Sequence, residues 1–333
     1  MRNGTCCWNV LLIALLTLSL GCQKDSSSPQ IDPHLSQISS PEFERDLLFV
    51  GKSGFQIETT EPATFSSADP RIRISSSGLI SRITSAEVVP IDVHWTGTGA
   101  ISRIYALGAT DDDFDPPYDR FHGRLASDPV AAYRKGWETL SKLPDPDGTY
   151  AIILRHGDAD QGRDRSDGPD NWWKSCDDAL ARQLNDTGKV HATRLGAIFK
   201  ELGYPISRVI SSEFCRAKST AELINAGPAI VTDGRINHPE HNTAGNLFRQ
   251  MVALVQEQPI DGKMTLVVTH HPINERGNTQ LPTFPAISPF SWTGAYIVRI
   301  APDKTLTYEG AVSYGMFDYW SRKKMNRLGQ PSP

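Results

Sequence analysis

Neither sign of charge is in large excess in this chain: 34 Lys and Arg face 38 Asp and Glu, a net charge of -4. That balance excludes the global positive field by which nucleic-acid and anionic-surface binders work, so any anion recognition must come from a local site. No internal repeat is visible, which excludes solenoids and propellers and leaves one large domain or two ordinary ones for 333 residues. Long hydrophobic runs are scarce. Trp8 to Leu20 is an apolar run of 13 residues behind Arg2, too short to span a bilayer comfortably and of the length of a signal-peptide core. Cysteine is sparse at five residues, of which Cys6 and Cys7 would leave with such a signal. At 39% hydrophobic and 22% charged, the remainder has an ordinary globular composition.

The apolar run ends in Leu18-Ser19-Leu20-Gly21-Cys22, which resembles a bacterial lipoprotein cleavage box, although the leucine lies four residues before the cysteine rather than three. Residues 1–22 are therefore expected to be a lipoprotein signal peptide with Cys22 as the lipidated residue. Several acyl chains, at roughly 0.8 kcal/mol per buried methylene, would hold such a chain stably on a membrane. Gln23 after the cysteine resembles the outer-membrane sorting pattern, which implies an exported protein of the cell envelope facing the periplasm. Residues 23–41, rich in serine and proline, read as a flexible tether. Cys176 and Cys215 remain, and in an oxidising compartment they either form a disulfide or stay as two unpaired thiols.

Residues 42–110 have an all-β texture. Phe55 and Ile57 alternate, as do Ile72 and Ile74, then Val89, Ile91, Val93 and Trp95, with turn clusters such as Ser75-Ser76-Ser77-Gly78 between them. Short strands at this spacing predict a small sandwich. Residues 65–83, FSSADPRIRISSSGLISRI, resemble bacterial Ig-like domains of the group 2 type, which implies a spacer or adhesion module without chemistry of its own. Residues 111–148 read as a linker with one short helix, carrying Tyr133, Trp137 and Leu140 at helical spacing. Its acidic cluster Asp111, Asp112, Asp113 and Asp115 fits a solvated turn better than a calcium loop.

Residues 149–327 alternate strands and helices, the mark of an α/β fold with a mostly parallel sheet sandwiched by helices, and 328–333 form a tail. The run Tyr150 to Leu154 reads as a buried strand leading straight into Arg155, His156 and Gly157. A helix from Lys189 to Leu202 is expected to carry Val190, Leu195, Ile198, Phe199 and Leu202 on one face, with Asp186 or Thr187 as cap and His191 on the polar side. Strands follow at 208–211, 229–232 and 264–269, and an antiparallel pair at 295–300 and 305–308, with helices at 217–225 and 247–255.

Three of these strands end in basic residues: the first in Arg155-His156, the second leading from Ser211-Ser212 to Arg216, the third in His270-His271. In a parallel sheet the three ends share one edge, where ligands bind. Two arginines and two or three histidines brought together suit phosphoryl transfer. Arginine forks hold phosphate oxygens with paired hydrogen bonds. A neutral imidazole attacks phosphorus to give a phosphohistidine, and a second histidine stabilises the added charge. No metal or other cofactor is required where arginines do the electrostatic work.

LRHGDAD (154–160), VISSEFCRAKSTAE (209–222) and VVTHHP (267–272) resemble the histidine phosphatase superfamily, the group that includes the phosphoglycerate mutases. The resemblance implies that His156 is the phosphorylated nucleophile, that Arg155 and Arg216 clamp the phosphate, and that His270 is the second pocket histidine. It also implies that Gly157 lets the backbone approach the phosphate closely. The segment Ile236 to Asn242 departs from the mutases' Leu-Asn-Glu-Arg-like proton-donor region. Glu240 is its nearest carboxylate, with Asp158 beside the nucleophile as the rival. Relatives with a cysteine at both positions imply a Cys176–Cys215 bridge that pins the insert at 160–181, with its Trp172 and Trp173, over the site. The expected function is an exported, membrane-anchored phosphatase acting on a phosphorylated small molecule or a surface glycan or lipid phosphate, with no nucleic-acid partner. The alternatives are a mutase-like phosphotransferase and a non-enzymatic surface-binding protein that uses the Ig-like module.

Overall fold

The computed structural model describes residues 32–50, 54–83, 88–108, 129–238, 241, 247–271 and 290–328. The signal segment with Cys22, the acidic cluster at 111–115 and Glu240 lie outside the described residues.

Eight strands build the N-terminal part: β1 (Phe43–Glu44), β2 (Leu47–Val50), β3 (Phe55–Gln56), β4 (Ala63–Ser66), β5 (Ile72–Ile74), β6 (Leu79–Ile83), β7 (Val88–Trp95) and β8 (Ile101–Gly108). They form a five-stranded sheet in the order β1-β2-β8-β7-β4 and a three-stranded sheet in the order β3-β6-β5. Val89, Ile91, Val93 and Trp95 are buried in one core, as their period of two requires. β2 is buried on both faces. Leu48 and Val50 join that core, whereas Leu47 and Phe49 join the larger core of the α/β part. This sheet is thus not a spacer with only its own core, because one of its faces also covers the α/β elements. The tether expected at 23–41 is shorter than its serine and proline content suggested. Leu35 and Ile38 are buried in the smaller core, and Ser39 donates its backbone N–H to Glu58 at 2.9 Å. Two apolar side chains suffice to dock a segment that composition alone marks as solvated.

The second part contains β9 (Thr149–Arg155), β10 (Ile206–Ser211), β11 (Ile230–Thr232), β12 (Met264–Thr269), β13 (Ala295–Ile300) and β14 (Leu306–Val312) in the order β11-β10-β12-β9-β13-β14. β11, β10, β12 and β9 run parallel, and β13 and β14 are antiparallel. β9 and β12 are buried at every residue, as central strands covered on both faces should be. Five helices are described: α1 (Pro129–Lys142), α2 (Asp186–Glu201), α3 (Cys215–Ile224), α4 (Leu247–Gln256) and α5 (Tyr314–Lys324).

Helix α2 starts earlier than its apolar pattern suggested. Its cap is Asn185, whose side chain accepts from Gly188 N at 2.8 Å, rather than Asp186 or Thr187. Val190 is 57% exposed, because five residues from Leu195 amount to about 140° around the axis. His191, four residues from Leu195, instead shares the inward face and stacks on Tyr314 with ring centroids 3.9 Å apart. Helix α5 has no counterpart among the expected elements. Ser313 caps it by accepting from Met316 N at 3.1 Å, and Met316, Phe317, Tyr319 and Trp320 are buried.

Helix α1 lies on β14 through two glycines. A Cβ on Gly136 would stand 1.8 Å from the Ala311 carbonyl oxygen, and one on Gly310 would stand 2.1 Å from Gly136 N. Thr139 Oγ1 donates to the Glu309 carbonyl at 2.7 Å across the same contact. Gly136→Ala is therefore expected to lower stability by roughly 1–3 kcal/mol, since backbone must shift to admit the methyl group. A urea melt checks this, and an unchanged midpoint would contradict the close approach.

Candidate active site

The site is assembled by register. In the parallel ladder Arg155 pairs with Thr269, Leu154 with Val268, and Val268 with Ser211, so the three strands end level. His156 N donates to the Thr269 carbonyl at 3.0 Å, and Arg155 N to the Gly294 carbonyl at 2.9 Å. Arg155, His156, Arg216 and His270 converge there, and all four are buried. The ring centroids of His156 and His270 are 4.9 Å apart.

The hydrogen bonds assign the tautomer of His156. His156 Nδ1 lies 2.8 Å from the Gly157 carbonyl oxygen, which can only accept. Nδ1 therefore carries the hydrogen, and Nε2 keeps its lone pair. Arg216 Nε–H donates to that Nε2 at 3.2 Å. His270 Nε2 lies 2.7 Å from Ser212 Oγ, a hydroxyl that also accepts from Phe214 N at 3.1 Å and can either donate to the ring or accept from it. His270 Nδ1 is a buried atom with no hydrogen-bond partner among the described residues. A buried ring nitrogen without a partner suits a ligand's polar atom.

Burial holds both imidazoles well below the ordinary histidine range. For His156 the neighbouring Arg216 and Arg155 push in the same direction; for His270 the next causes are His156 and Arg216. The nucleophile candidate is thus neutral at physiological pH. Burial also lowers Arg216 to about 10 against the opposing pull of Asp164, which leaves it charged at neutral pH.

Each arginine is fixed from two directions. Arg155 Nη1 donates to the Phe290 carbonyl at 2.9 Å, and its guanidinium carbon lies 3.6 Å from the centroid of the Trp292 ring. Arg216 lies 4.4 Å over Phe214 and donates Nη1 to Asp164 Oδ1 at 3.1 Å. Gly157 is closely packed. A Cβ there would meet the Gly188 carbonyl oxygen at 3.0 Å, and its N–H is committed to Thr220 Oγ1 at 2.9 Å. In this structure glycine admits the start of α2 against the loop.

Glu240 lies outside the described residues; its neighbour His238 lies 6.0 Å from His270, centroid to centroid. Asp158 is half-buried, its carbonyl accepts from Asn185 N at 3.0 Å, and its carboxylate lies within electrostatic reach of His191. His271 is buried and faces Phe290, with centroids 5.9 Å apart. Cys176 and Cys215 form a disulfide with Cα atoms 5.2 Å apart, tying the insert to the residue before Arg216. Trp172 stands edge-on to Phe214, and Trp173 stacks on His241 at 4.2 Å, so these two tryptophans join the insert to the rim of the site.

Several site residues were not singled out from the chain: Asp164 and Arg182 of the insert region, Thr220, His238 and Trp292. Only Trp292 left a signal. It precedes β13, and a strand antiparallel to β9 starts at the edge where β9 ends. Among the described residues no group of three or more His, Cys, Asp or Glu side chains is arranged to hold a metal ion.

Residues 151–241 match the family model of the histidine phosphatase superfamily (branch 1), so a domain of that superfamily lies there. A comparison with curated proteins finds no match. Similar solved structures include the protein histidine phosphatase SixA complexed with tungstate, at 21% identity over 50% of this chain and 97% of that one, with a TM-score of 0.36. YhfR of Bacillus stearothermophilus is similar at 17% identity over 50% of this chain and 98% of its own, TM-score 0.33. Phosphoglycerate mutase from Plasmodium falciparum is similar at 12% identity over 48% and 87%, TM-score 0.29.

The histidines set an acid sensitivity. His156, His270 and His238, the last lowered to about 4 mainly by burial, stay neutral when folded, whereas an unfolded chain protonates near 6.5. The unfolded state binds more protons in that window, so this part of the stability is present above 6.5 and is lost as pH falls. Urea midpoints at about pH 5 and about pH 7.5 test this, with the lower value expected at the lower pH. For the disulfide, whose cysteines are 39 residues apart, replacing both with serine is expected to cost roughly 2–4 kcal/mol in the same melts. No loss would show that the bridge does not restrain the unfolded chain.

Proposed function

We propose that this chain is a phosphomonoester hydrolase that works through a phosphohistidine on His156, without a metal. The observation that carries the reading is the convergence of buried Arg155, Arg216 and His270 on His156, whose Nδ1–H leaves the lone pair on Nε2. The Nε2 lone pair of the neutral ring accepts from Arg216 Nε–H, a hydrogen bond that phosphate oxygens take over when substrate binds, and His270 brings its unpartnered Nδ1 to the same place. Nε2 attacks phosphorus in line, the P–O bond to the alcohol breaks, and the leaving oxygen takes a proton. Glu240 is the donor in this reading, with Asp158 the alternative. Arg155, Arg216 and His270 bear the charge on the three non-bridging oxygens, the role that pre-placed donors fill in a dry site. Water then attacks the phosphohistidine, releasing inorganic phosphate and restoring the neutral ring.

Hydrolysis is favoured over transfer between sugar acids because Trp8 to Leu20 and the box before Cys22 resemble an export signal. In the full reading Cys22 is lipidated, the chain is held on the envelope, probing phosphorylated small molecules or surface glycan and lipid phosphates, and the N-terminal β part is an Ig-like module.

An aryl phosphate serves as a generic probe. Wild type is expected to turn it over, and His156→Ala to lose roughly 10³-fold or more in kcat, as removal of a nucleophile does elsewhere. Activity is expected to survive a chelator. Equal, background-level rates for the two proteins would end the enzymatic reading, and loss of activity in the chelator would end its metal independence.

A further inference from the structure

The second clamp arginine is held by a side chain that belongs to the insert. Arg216 Nε–H meets His156 Nε2 at 3.2 Å, while its Nη1 meets Asp164 Oδ1 at 3.1 Å. A guanidinium is rigid and planar, so tethering one nitrogen sets the direction of all its donors. The Asp164 side chain is 27% exposed and that of Arg216 only 3%, so the pair sits where solvent screens it poorly.

Asp164 is itself firmly placed. Its Oδ1 also accepts from Arg182 N at 3.0 Å, and its Oδ2 accepts from Arg182 Nε at 3.0 Å. Burial opposes its ionisation, but Arg216 and Arg182 outweigh that and hold it below the usual carboxylate range. The segment that bears it is folded back on itself, Arg165 N donating to the Leu180 carbonyl at 2.9 Å. Two further ties fasten the insert next to Arg216: the disulfide between Cys176 and Cys215, and the Lys174–Glu213 ion pair at 2.8 Å.

We propose that Asp164 is a positioning residue, which acts through Arg216 to hold its guanidinium towards the oxygens of a phosphate bound over His156. The inference rests on the phosphatase reading above. Asp164 touches no reacting atom; it sets the orientation of one that does. Charge supports the same view. Arg155, Arg182 and Arg216 with Asp164 leave the cage two positive charges, the match for a phosphomonoester dianion. Removing the carboxylate should therefore not weaken ground-state binding of phosphate. It should loosen the arginine at the transition state, where misplacement by about 1 Å can cost on the order of 100-fold.

Steady-state turnover of an aryl phosphate by the purified full chain tests this, with wild type, Asp164→Asn, Asp164→Glu, Arg216→Ala and the Asp164→Asn/Arg216→Ala double variant. Asp164→Asn is expected to lower kcat roughly 10- to 100-fold while KM stays within about threefold, and Asp164→Glu to recover part of the loss. In the Arg216→Ala background, the asparagine should cost nothing further, because its effect runs through the missing arginine. A wild-type kcat in Asp164→Asn, or a loss that adds in full to that of Arg216→Ala, overturns the proposal. A rise in KM with unchanged kcat also overturns it, since that is the mark of an insert merely unseated. Should Asp164→Asn fail to fold, Asp164→Glu decides alone: reduced kcat at constant KM supports the assignment, and wild-type kcat overturns it. If wild type is as inert as His156→Ala, the phosphatase reading falls and takes this inference with it. An active wild type with an indifferent Asp164 removes the inference alone.

Discussion

The level ending of three parallel strands is the constraint on which the rest of the structure depends. β9, β12 and β10 are hydrogen-bonded in a register that sets Arg155 against Thr269 and Val268 against Ser211. The first residue past β9, His156, still donates its backbone N–H to β12. A slip of one residue would turn every side chain to the opposite face. The same slip would send His156 away from His270 and break the convergence of the site.

Bringing the four basic side chains together is electrostatically unfavourable. Both arginines lose most of their hydration, and the histidines respond by giving up their protons. Each arginine is then stabilised by partners that tolerate a dry setting: an aromatic face, a backbone carbonyl, or the Asp164 carboxylate. The insert at 160–181 is thus part of the cage, not a loop laid over it. It contributes an anion from one end, and through the disulfide it is covalently attached to the residue before Arg216. Its tryptophans, against Phe214 and His241, close the rim with apolar area and not with further charge.

The N-terminal sheet is joined to the α/β part through a shared core. β2 gives Leu47 and Phe49 to the cluster that contains α1 and α5, and Asp46 accepts from Tyr319 Oη at 2.7 Å and from Lys323. Truncating this sheet would expose apolar side chains of the α/β part, so its role is not confined to spacing.

Much of this was legible along the chain. The apolar runs at 150–154 and 264–269 are long, uninterrupted and bounded by polar residues, so strand identity and burial followed from the residues themselves. Their basic endings then placed Arg155, His156, Arg216 and His270 at one edge, because parallel strands leave no other arrangement. What remained hidden depended on contacts between distant segments. No local signal marks Asp164 or Arg182 among the charged residues of the insert, since an exposed pair and a buried one read alike until the chain folds. Gly157 looked like a glycine for a ligand; the approach of Gly188 shows that it admits a helix. Likewise Leu35, Ile38, Leu47 and Phe49 were too few and too scattered to announce that they share cores with other elements. The sequence by itself determined which residues carry the chemistry, through strand ends and residue type. The tertiary structure decided how they are oriented, because the guanidinium planes are set by hydrogen bonds to residues remote in sequence, Phe290 for Arg155 and Asp164 for Arg216.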